Sequence, residues 1–551
     1  MKNFYLKPKL FSVMKTYSKE QFLKDLVAGI IVAIIALPLS IALALASGVE
    51  PACGIYTAIA AGFFVSLLGG SRVQIAGPTA AFASIVAGVV VAQGMDGLFI
   101  ATVMAGIILV LMGVFKFGAL IKYIPYTITT GFTAGIAVTI FFGQIKDFLG
   151  LTYADGLKPV ETLEKIEANI KSIGTFSWQA LVVGAVCLLI LIFYPKVEKR
   201  VPPSLIAVIV GALMVAFIPG FGNSVYTIGD LYTIPSGLPE INLAGMDISF
   251  DKISAVLPDA FTIAILAAIE SLLSCVVADG MVNSRHNPNA ELVAQGVGNV
   301  ASVFFGGIPA TGAIARTAAN AKNGGRTPVA GMVHSVVLLL VLLFLMPYAE
   351  LIPMPTIAAI LFIVAYNMSE WRKLVRIVKS APKSDIIITL TTFILTVIFD
   401  LVIAIGVGMV LAAILFMKRM SEETEVTGWK YTENDTDSLE LKVVPKDVRV
   451  YEMSGPLFFG AADKIATITL KDFTRCLILR MRSVTALDAT AMNALETLYK
   501  KCTEKNVRVI FSHVNPQPLS VMKKSGFFDM VGEENFCEHI DKALELAQNN
   551  S

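Results

Sequence analysis

Long apolar runs, cut by glycines, prolines and charged residues, fill the chain between residues 25 and 420, and polar positions dominate only outside them. About 20 predominantly apolar residues cross the hydrocarbon core of a bilayer, so the cuts predict about fourteen helical spans. They run near 25–46, 52–69, 78–92, 97–115, 123–143, 178–195, 203–219, 257–279, 290–305, 314–322, 327–346, 352–367, 385–399 and 401–417. The expected architecture is a polytopic α-helical membrane protein.

The charges between the spans fall into two sets. With the N-terminus (1–24) in the cytoplasm, the inner connections hold Arg72, then Lys116 and Lys122, then Lys196, Lys199 and Arg200, then Arg285, then Lys322 and Arg326. The next inner connection holds Arg372, Lys373, Arg376, Lys379 and Lys383, and the chain leaves the last span at Lys418-Arg419. The outer connections carry Glu50, Asp96, an acidic 220–255 region, Glu350 and Asp400, and only 144–177 is mixed. Cytoplasmic loops are enriched in Lys and Arg, so this alternation predicts cytoplasmic N- and C-termini and an inner (plasma) membrane location. Fourteen spans divide into seven and seven. An odd number per half makes the second half enter from the opposite side, giving inverted repeats at about 25–220 and about 257–420.

Within that pattern two stretches share a grammar. Gly69-Gly70-Ser71-Arg72-Val73-Gln74-Ile75-Ala76-Gly77-Pro78 leads into Thr79-Ala80-Ala81, and Gly306-Gly307-Ile308-Pro309-Ala310-Thr311-Gly312 leads through Arg316 into Thr317-Ala318-Ala319. Gly and Pro stop a helix, and a new helix starting inside the membrane presents its partially positive N-terminus there. Ordinary tight turns use the same residues. Gly/Pro-broken segments in corresponding places of two halves are, however, the sequence pointer to an inverted-repeat transporter's binding site, and an arginine at membrane depth marks a site. A weaker echo follows each break, at Ile124-Pro125-Tyr126 and Met354-Pro355-Thr356.

Composition narrows the classes. In 551 residues, 55% are hydrophobic and 16% charged, against about 25% charged in a soluble domain. The net charge of +2 gives no nucleic-acid reading. The six cysteines show no CxxC spacing, so neither a metal site nor a disulfide framework is expected, and no cofactor is implied. No catalytic constellation suggests an enzyme. The basic start (Lys7, Lys9, Lys15, Lys19, Lys24) before an apolar run imitates a signal peptide, but that run is span-length and carries Pro38. His286, His334 and His513 have no partner spacing and read as structural. After a polar, acidic linker at 421–438, residues 439–551 read as a soluble α/β domain, with strands near Val448–Met453, Cys476–Met481 and Val507–Phe511 and helices at Asp488–Cys502 and Cys537–Ala547.

Gly77-Pro78-Thr79-Ala80-Ala81, Ile269-Glu270-Ser271-Leu272-Leu273, the ELVAQGVGN run from Glu291 to Asn299, Arg316-Thr317-Ala318-Ala319-Asn320 and Leu487-Asp488-Ala489-Thr490 together resemble the SulP family of anion transporters. Ala-Ile-Glu-Ser-Leu-Leu and Tyr366-Asn367-Met368-Ser369-Glu370 resemble its bacterial C4-dicarboxylate carriers; other members carry sulfate, bicarbonate, chloride or nitrate. The resemblance implies core and gate domains built from the 25–420 region, a cytoplasmic STAS domain and a homodimer. It places the substrate site between the third and tenth helices, at Thr79, Ala80, Ala315 and Arg316, with Leu43 from the first. Many eukaryotic relatives have Ser at the position of Ala315 and Phe at that of Leu43.

In sodium-coupled bicarbonate members an Asp, with Thr four residues on, binds the cation; here Glu270 and Ser274 stand there. A single carboxylate near the midplane carries a proton instead, so a proton-coupled symporter is expected, with sodium as the alternative ion. The rival readings are an uncoupled exchanger or channel of the same family and a membrane-anchored STAS sensor. In anti-sigma-factor antagonists a phosphorylated Ser follows the Asp; here Ala489 follows Asp488, so that switch is expected to be absent, with Thr490 as a helix cap. A soluble protein partner of this domain is the remaining expectation.

Overall fold

The computed structural model describes residues 6–119, 125–154, 159, 161–198, 201–232, 237, 249–399, 401–429 and 444–548. Lys122, Ile124, Lys199, Arg200, Asp400, much of the acidic 220–255 region and the linker from 430 on lie outside the described residues. The chain forms two compact units, Met1–Met409 and Val410–Ser551.

In the first unit the apolar runs fold as α1 (Lys19–Ala46), α2 (Pro51–Leu68), α3 (Ala83–Val114), α4 (Tyr126–Leu149), α5 (Trp178–Val197) and α6 (Pro203–Phe217). The second half supplies α7 (Phe250–Val282), α8 (Pro288–Phe304), α9 (Ile314–Lys322), α10 (Val329–Phe344), α11 (Met354–Ser369), α12 (Trp371–Ser380), α13 (Lys383–Ile398) and α14 (Leu401–Glu422). Each expected span coincides with helix. Among the described residues seven helices are long and apolar enough to cross a membrane, and two further apolar ones are shorter.

Local chemistry sets the helix ends. Ser18, Ser177 and Ser249 accept from a backbone N–H in the first turn of α1, α5 and α7, and Asn287 accepts two in α8. The echoed prolines are helix starts: Pro125 precedes α4 and Pro355 lies in the first turn of α11.

Two connections read from the sequence as loops are helical. Thr162–Lys171 is a short helix between α4 and α5, and α12 follows α11 through Glu370, whose φ of 40° is left-handed. Spans expected separately at 78–92 and 97–115 are one helix broken at Gly94 (φ 70°, ψ −174°), because a residue without Cβ turns the chain without ending the helix.

The packing is reciprocal between the halves. α1 and α2 lie against α10, as α7 and α8 lie against α3; α4 packs on α11 and α13, as α11 packs on α5. One bundle therefore gathers α1–α3 and α7–α10, and a second gathers α4–α6, α11 and α13.

The second unit begins within α14 and forms a five-stranded sheet. Its strands are β3 (Glu425–Gly428), β4 (Val448–Ser454), β5 (Cys476–Ser483), β6 (Arg508–Ser512) and β7 (Phe536–Cys537), in that order, parallel except for β3 against β4. The first strand thus starts inside the stretch expected as linker. Side chains alternate across β5: Leu477, Leu479 and Met481 enter the core under α15 (Ala489–Glu504), while Cys476 and Ile478 meet Ile540, Ala543 and Leu544 of α17 (Ile540–Gln548). Between them α16 (Pro516–Lys524) follows β6. Burial raises the Cys476 thiol to about 12 and the Cys502 thiol to about 11.

Candidate functional site

The two broken stretches meet. Ala76–Gly77 (β1) and Thr311–Gly312 (β2) pair antiparallel, Ala76 opposite Gly312 and Gly77 opposite Thr311, and Ala313 N donates to Ile75 O at 2.8 Å. A helix starts just beyond each strand, at the 3-10 turn Ala80–Phe82 leading into α3 and at Ile314 of α9. Neither Thr79 nor Ala313, the residues before these starts, caps its helix with a side chain, so neither occupies the first-turn N–H groups, the groups that hold an anion at a helix N-terminus. Ala315, in the first turn of α9, is exposed.

Arg316 reaches from the second break into the first. Its Nη2 donates to Pro78 O at 3.3 Å, and Nη1 is buried without a hydrogen-bond partner. Arg316 is only 3% exposed. A Cβ on Gly77 would lie 2.5 Å from Nη1, so only glycine lets the guanidinium rest there.

Thr79 Oγ1 donates to Glu270 Oε2 at 3.0 Å, and both side chains are half-buried. Ser274 is not part of that contact. It is fully buried, and its Oγ donates to Thr317 Oγ1 at 3.3 Å, which in turn accepts from Ile75 N at 3.0 Å. Leu43 is buried near the end of α1, and its backbone oxygen accepts from Ser47 Oγ. Thr79, Ala80, Glu270, Ala315 and Arg316 thus cluster around β1 and β2, whereas Ser274 serves their support.

Sequence reading missed that support. Glu291, Gln295 and Asn299 lie at i, i+4 and i+8 along α8, all fully buried. Glu291 Oε2 accepts from Gly70 N (2.9 Å) and Ser71 N (3.1 Å), and its Oε1 accepts from Gln74 Nε2 (3.2 Å) and Gln295 Nε2 (3.1 Å). Asn299 Oδ1 accepts from Ala310 N at 2.8 Å and its Nδ2 donates to Ala310 O at 2.9 Å. One face of α8 therefore grips both breaks. Ser271 Oγ accepts from Gly312 N at 3.0 Å, and Asn320 Nδ2 donates to Val73 O at 2.9 Å. The available signal was three polar residues at four-residue spacing on an otherwise apolar helix, where unsatisfied polar groups are costly.

In the second unit Asp488 caps α15: Oδ1 accepts from Ala491 N and Oδ2 from Phe459 N, both at 2.8 Å. Thr490, expected as the cap, is an exposed residue inside the helix. The helix begins at Ala489, so Asp488 holds the cap position and Thr490 already has helical backbone.

The sulfate permease family model matches residues 22–392 and the STAS domain model residues 440–543. The chain is 41% identical over 537 residues to the Bacillus subtilis (strain 168) protein named "Putative sulfate transporter YvdB", covering 96% of this chain and 98% of that one. It is 30% identical over 544 residues to the "Bicarbonate transporter BicA" of Picosynechococcus sp. (strain ATCC 27264 / PCC 7002 / PR-6), covering 95% and 94%. The solved transmembrane domain of a cyanobacterium bicarbonate transporter BicA superposes with a TM-score of 0.62 at 29% identity, over 72% of this chain and 98% of that one. SLC26A9 shares the fold across 100% of this chain and 93% of its own, with a TM-score of 0.87 at 18% identity. The chain belongs to the sulfate permease family of membrane transporters, carries a STAS domain and is not an enzyme.

Proposed function

We propose that this protein is a secondary active transporter that carries small anions of the sulfate, C4-dicarboxylate or bicarbonate class together with protons. Relatives named as sulfate and bicarbonate transporters support the anion class. The hydrogen bond from Thr79 to Glu270, at the edge of the site that Arg316 backs, is the observation that carries the coupling.

With Glu270 ionised, its carboxylate holds the Thr79 hydroxyl and adds a negative charge beside the anion position. Protonation removes that charge and releases the hydroxyl to donate to the anion. Proton and anion then bind cooperatively, and by linkage each raises the affinity for the other by the same factor. Arg316 and the N–H groups that open the 3-10 turn Ala80–Phe82 and α9 supply the attraction. The Ser274 hydroxyl is engaged with Thr317 rather than with Glu270, which supports a proton over sodium as the coupled ion. In this reading the protein is a homodimer in the inner membrane with cytoplasmic termini, and its STAS domain docks a soluble partner. A reporter fused after Lys418 reads the sidedness directly; activity outside the membrane alone would reverse the orientation.

Uptake into proteoliposomes, across an anion panel with and without an inward proton gradient, tests the proposal. The parent accumulates its anion when the gradient is imposed. Glu270→Gln imitates the protonated form and is expected to exchange anion without accumulating it. Undiminished proton-driven accumulation by that variant would remove Glu270 from the mechanism.

A further inference from the structure

We propose that α12 is a recognition element for anionic phospholipid headgroups. Its ten residues include five apolar ones, yet none of the ten is buried. Trp371, Leu374, Val375 and Val378 fall at i, i+3, i+4 and i+7, on one stripe, with Trp371, Val375 and Val378 exposed. Arg372, Lys373, Arg376 and Lys379 occupy the opposite stripe. Lys373 pairs with Glu370 at 2.6 Å, and the Arg372 guanidinium lies 5.4 Å from the centre of the Trp371 ring. An unburied apolar stripe backed by cations matches a helix lying in the membrane interface, its apolar face among acyl chains and its cations among headgroups.

The choice of an anionic lipid, rather than any bilayer, comes from a comparison within the chain. Thr162–Lys171 follows the fifth span of the first repeat, as α12 follows the corresponding span of the second, and inversion places the two on opposite faces. It too exposes apolar residues, Leu163 and Ile170. Its charges are balanced, Glu164 and Glu167 against Lys165 and Lys171, with Lys171 paired to Glu167. α12 instead carries four cations and no carboxylate, Glu370 standing just before it. Two interfacial helices in equivalent places, one neutral and one strongly basic, are what a bilayer with negative charge on one leaflet selects, because each cation near such a surface contributes attraction.

The three tryptophans make this testable in the full-length protein: Trp178 lies just beyond the neutral helix, Trp371 on the basic one, and Trp429 in the second unit. With Trp429→Phe and either Trp178→Phe or Trp371→Phe, a single reporter remains. Each protein is reconstituted in symmetric phosphatidylcholine and phosphatidylglycerol vesicles in which one lipid or the other carries bromine on its acyl chains.

Trp371 should be quenched roughly twofold more by brominated phosphatidylglycerol than by brominated phosphatidylcholine at equal mole fraction. Trp178 should be quenched equally by both. Replacing Arg372, Arg376 and Lys379 with Gln should abolish the Trp371 preference while leaving quenching by brominated phosphatidylcholine, which shows that the helix is still folded onto the bilayer. Equal quenching of Trp371 by the two lipids overturns the proposal, as does absence of quenching by either. Symmetric vesicles make the outcome independent of sidedness. The assignment of α12 to the cytoplasmic face is tested separately by labelling Lys379→Cys in intact cells with a membrane-impermeant maleimide.

Discussion

At the first break the chain turns into α3 through Pro78 and Thr79 and offers a hydroxyl; at the second it turns into α9 through Ala313 and Ile314 and offers Arg316. The backbones match, since each break is a two-residue strand followed by an uncapped helix start. The side chains do not. The first break's Arg72 is exposed, whereas the second break's Arg316 is buried against the first, with Pro78 O accepting from it and Gly77 making room. The supporting grip is also uneven. Glu291 holds the first break through two N–H groups of the Gly70-Ser71 turn, whereas the amide of Asn299 holds the second at Ala310. Inversion therefore duplicates what the backbone can supply, paired helix dipoles around one point. The chemistry a single anion needs is divided between the copies.

The largest effect should come from removing the charged grip. Glu291→Ala removes the acceptor from four buried donors, of which Gln74 Nε2 keeps Ser271 O, and each buried donor left unsatisfied costs about 1–3 kcal/mol. Thermal unfolding in detergent should show a marked loss, with Asn299→Ala losing less because its hydrogen bonds are neutral. Equal losses would mean that the two breaks are held alike.

Next is the cation. Arg316→Ala should weaken anion binding by about 30-fold, the equivalent of about 2 kcal/mol for a charged hydrogen bond, and Arg316→Lys should keep part of the affinity. Gly77→Ala should act in the same direction more weakly, because the added methyl displaces Nη1. Anion-induced thermal stabilisation measures all three. Parent-like binding by both Arg316 variants would make the arginine structural and the breaks chemically equivalent.

A smaller change is expected at the hydroxyl. In the parent, anion affinity should rise as pH falls, because protonated Glu270 releases Thr79. Thr79→Val removes the group released, so its affinity should drop a few-fold at low pH and its pH dependence should flatten. An unchanged pH profile in binding titrations would detach the first break from coupling. Smallest is Ser274→Ala, which loses one buried hydrogen bond, about 1 kcal/mol. It should lower the unfolding temperature slightly and leave ion dependence intact. Sodium dependence that disappears in this variant would restore the cation site that its position suggested.

Much of this was legible in the sequence because membrane helices announce themselves through apolar length and because Gly and Pro mark where helices stop. Ile314–Lys322 falls where the spacing put it. Thr162–Lys171 and α12 were read as loops because their charges interrupt the apolar runs that define a span, although amphipathic periodicity was present. Glu291 was visible only as part of a motif. Its partner turn at Gly70 is 221 residues away, and no local pattern states which loop a buried carboxylate will reach. Ser274 shows the same limit: spacing puts it one turn from Glu270, but its hydroxyl donates to Thr317 of another helix.

The short ladder between β1 and β2 has a mechanical meaning. Away from water, main-chain groups released from each other have nothing to pair with, so prising the two breaks apart is the costliest way to admit an ion. The ladder works as a rivet between the inverted halves, and the gripping face of α8 doubles it. In the transport cycle proposed above, opening to one side and then the other would leave the riveted bundle whole and shift its boundary with the bundle formed by α4–α6, α11 and α13. The bound anion would then travel with the bundle that holds it, as cargo in a moving frame rather than a particle in a fixed pore.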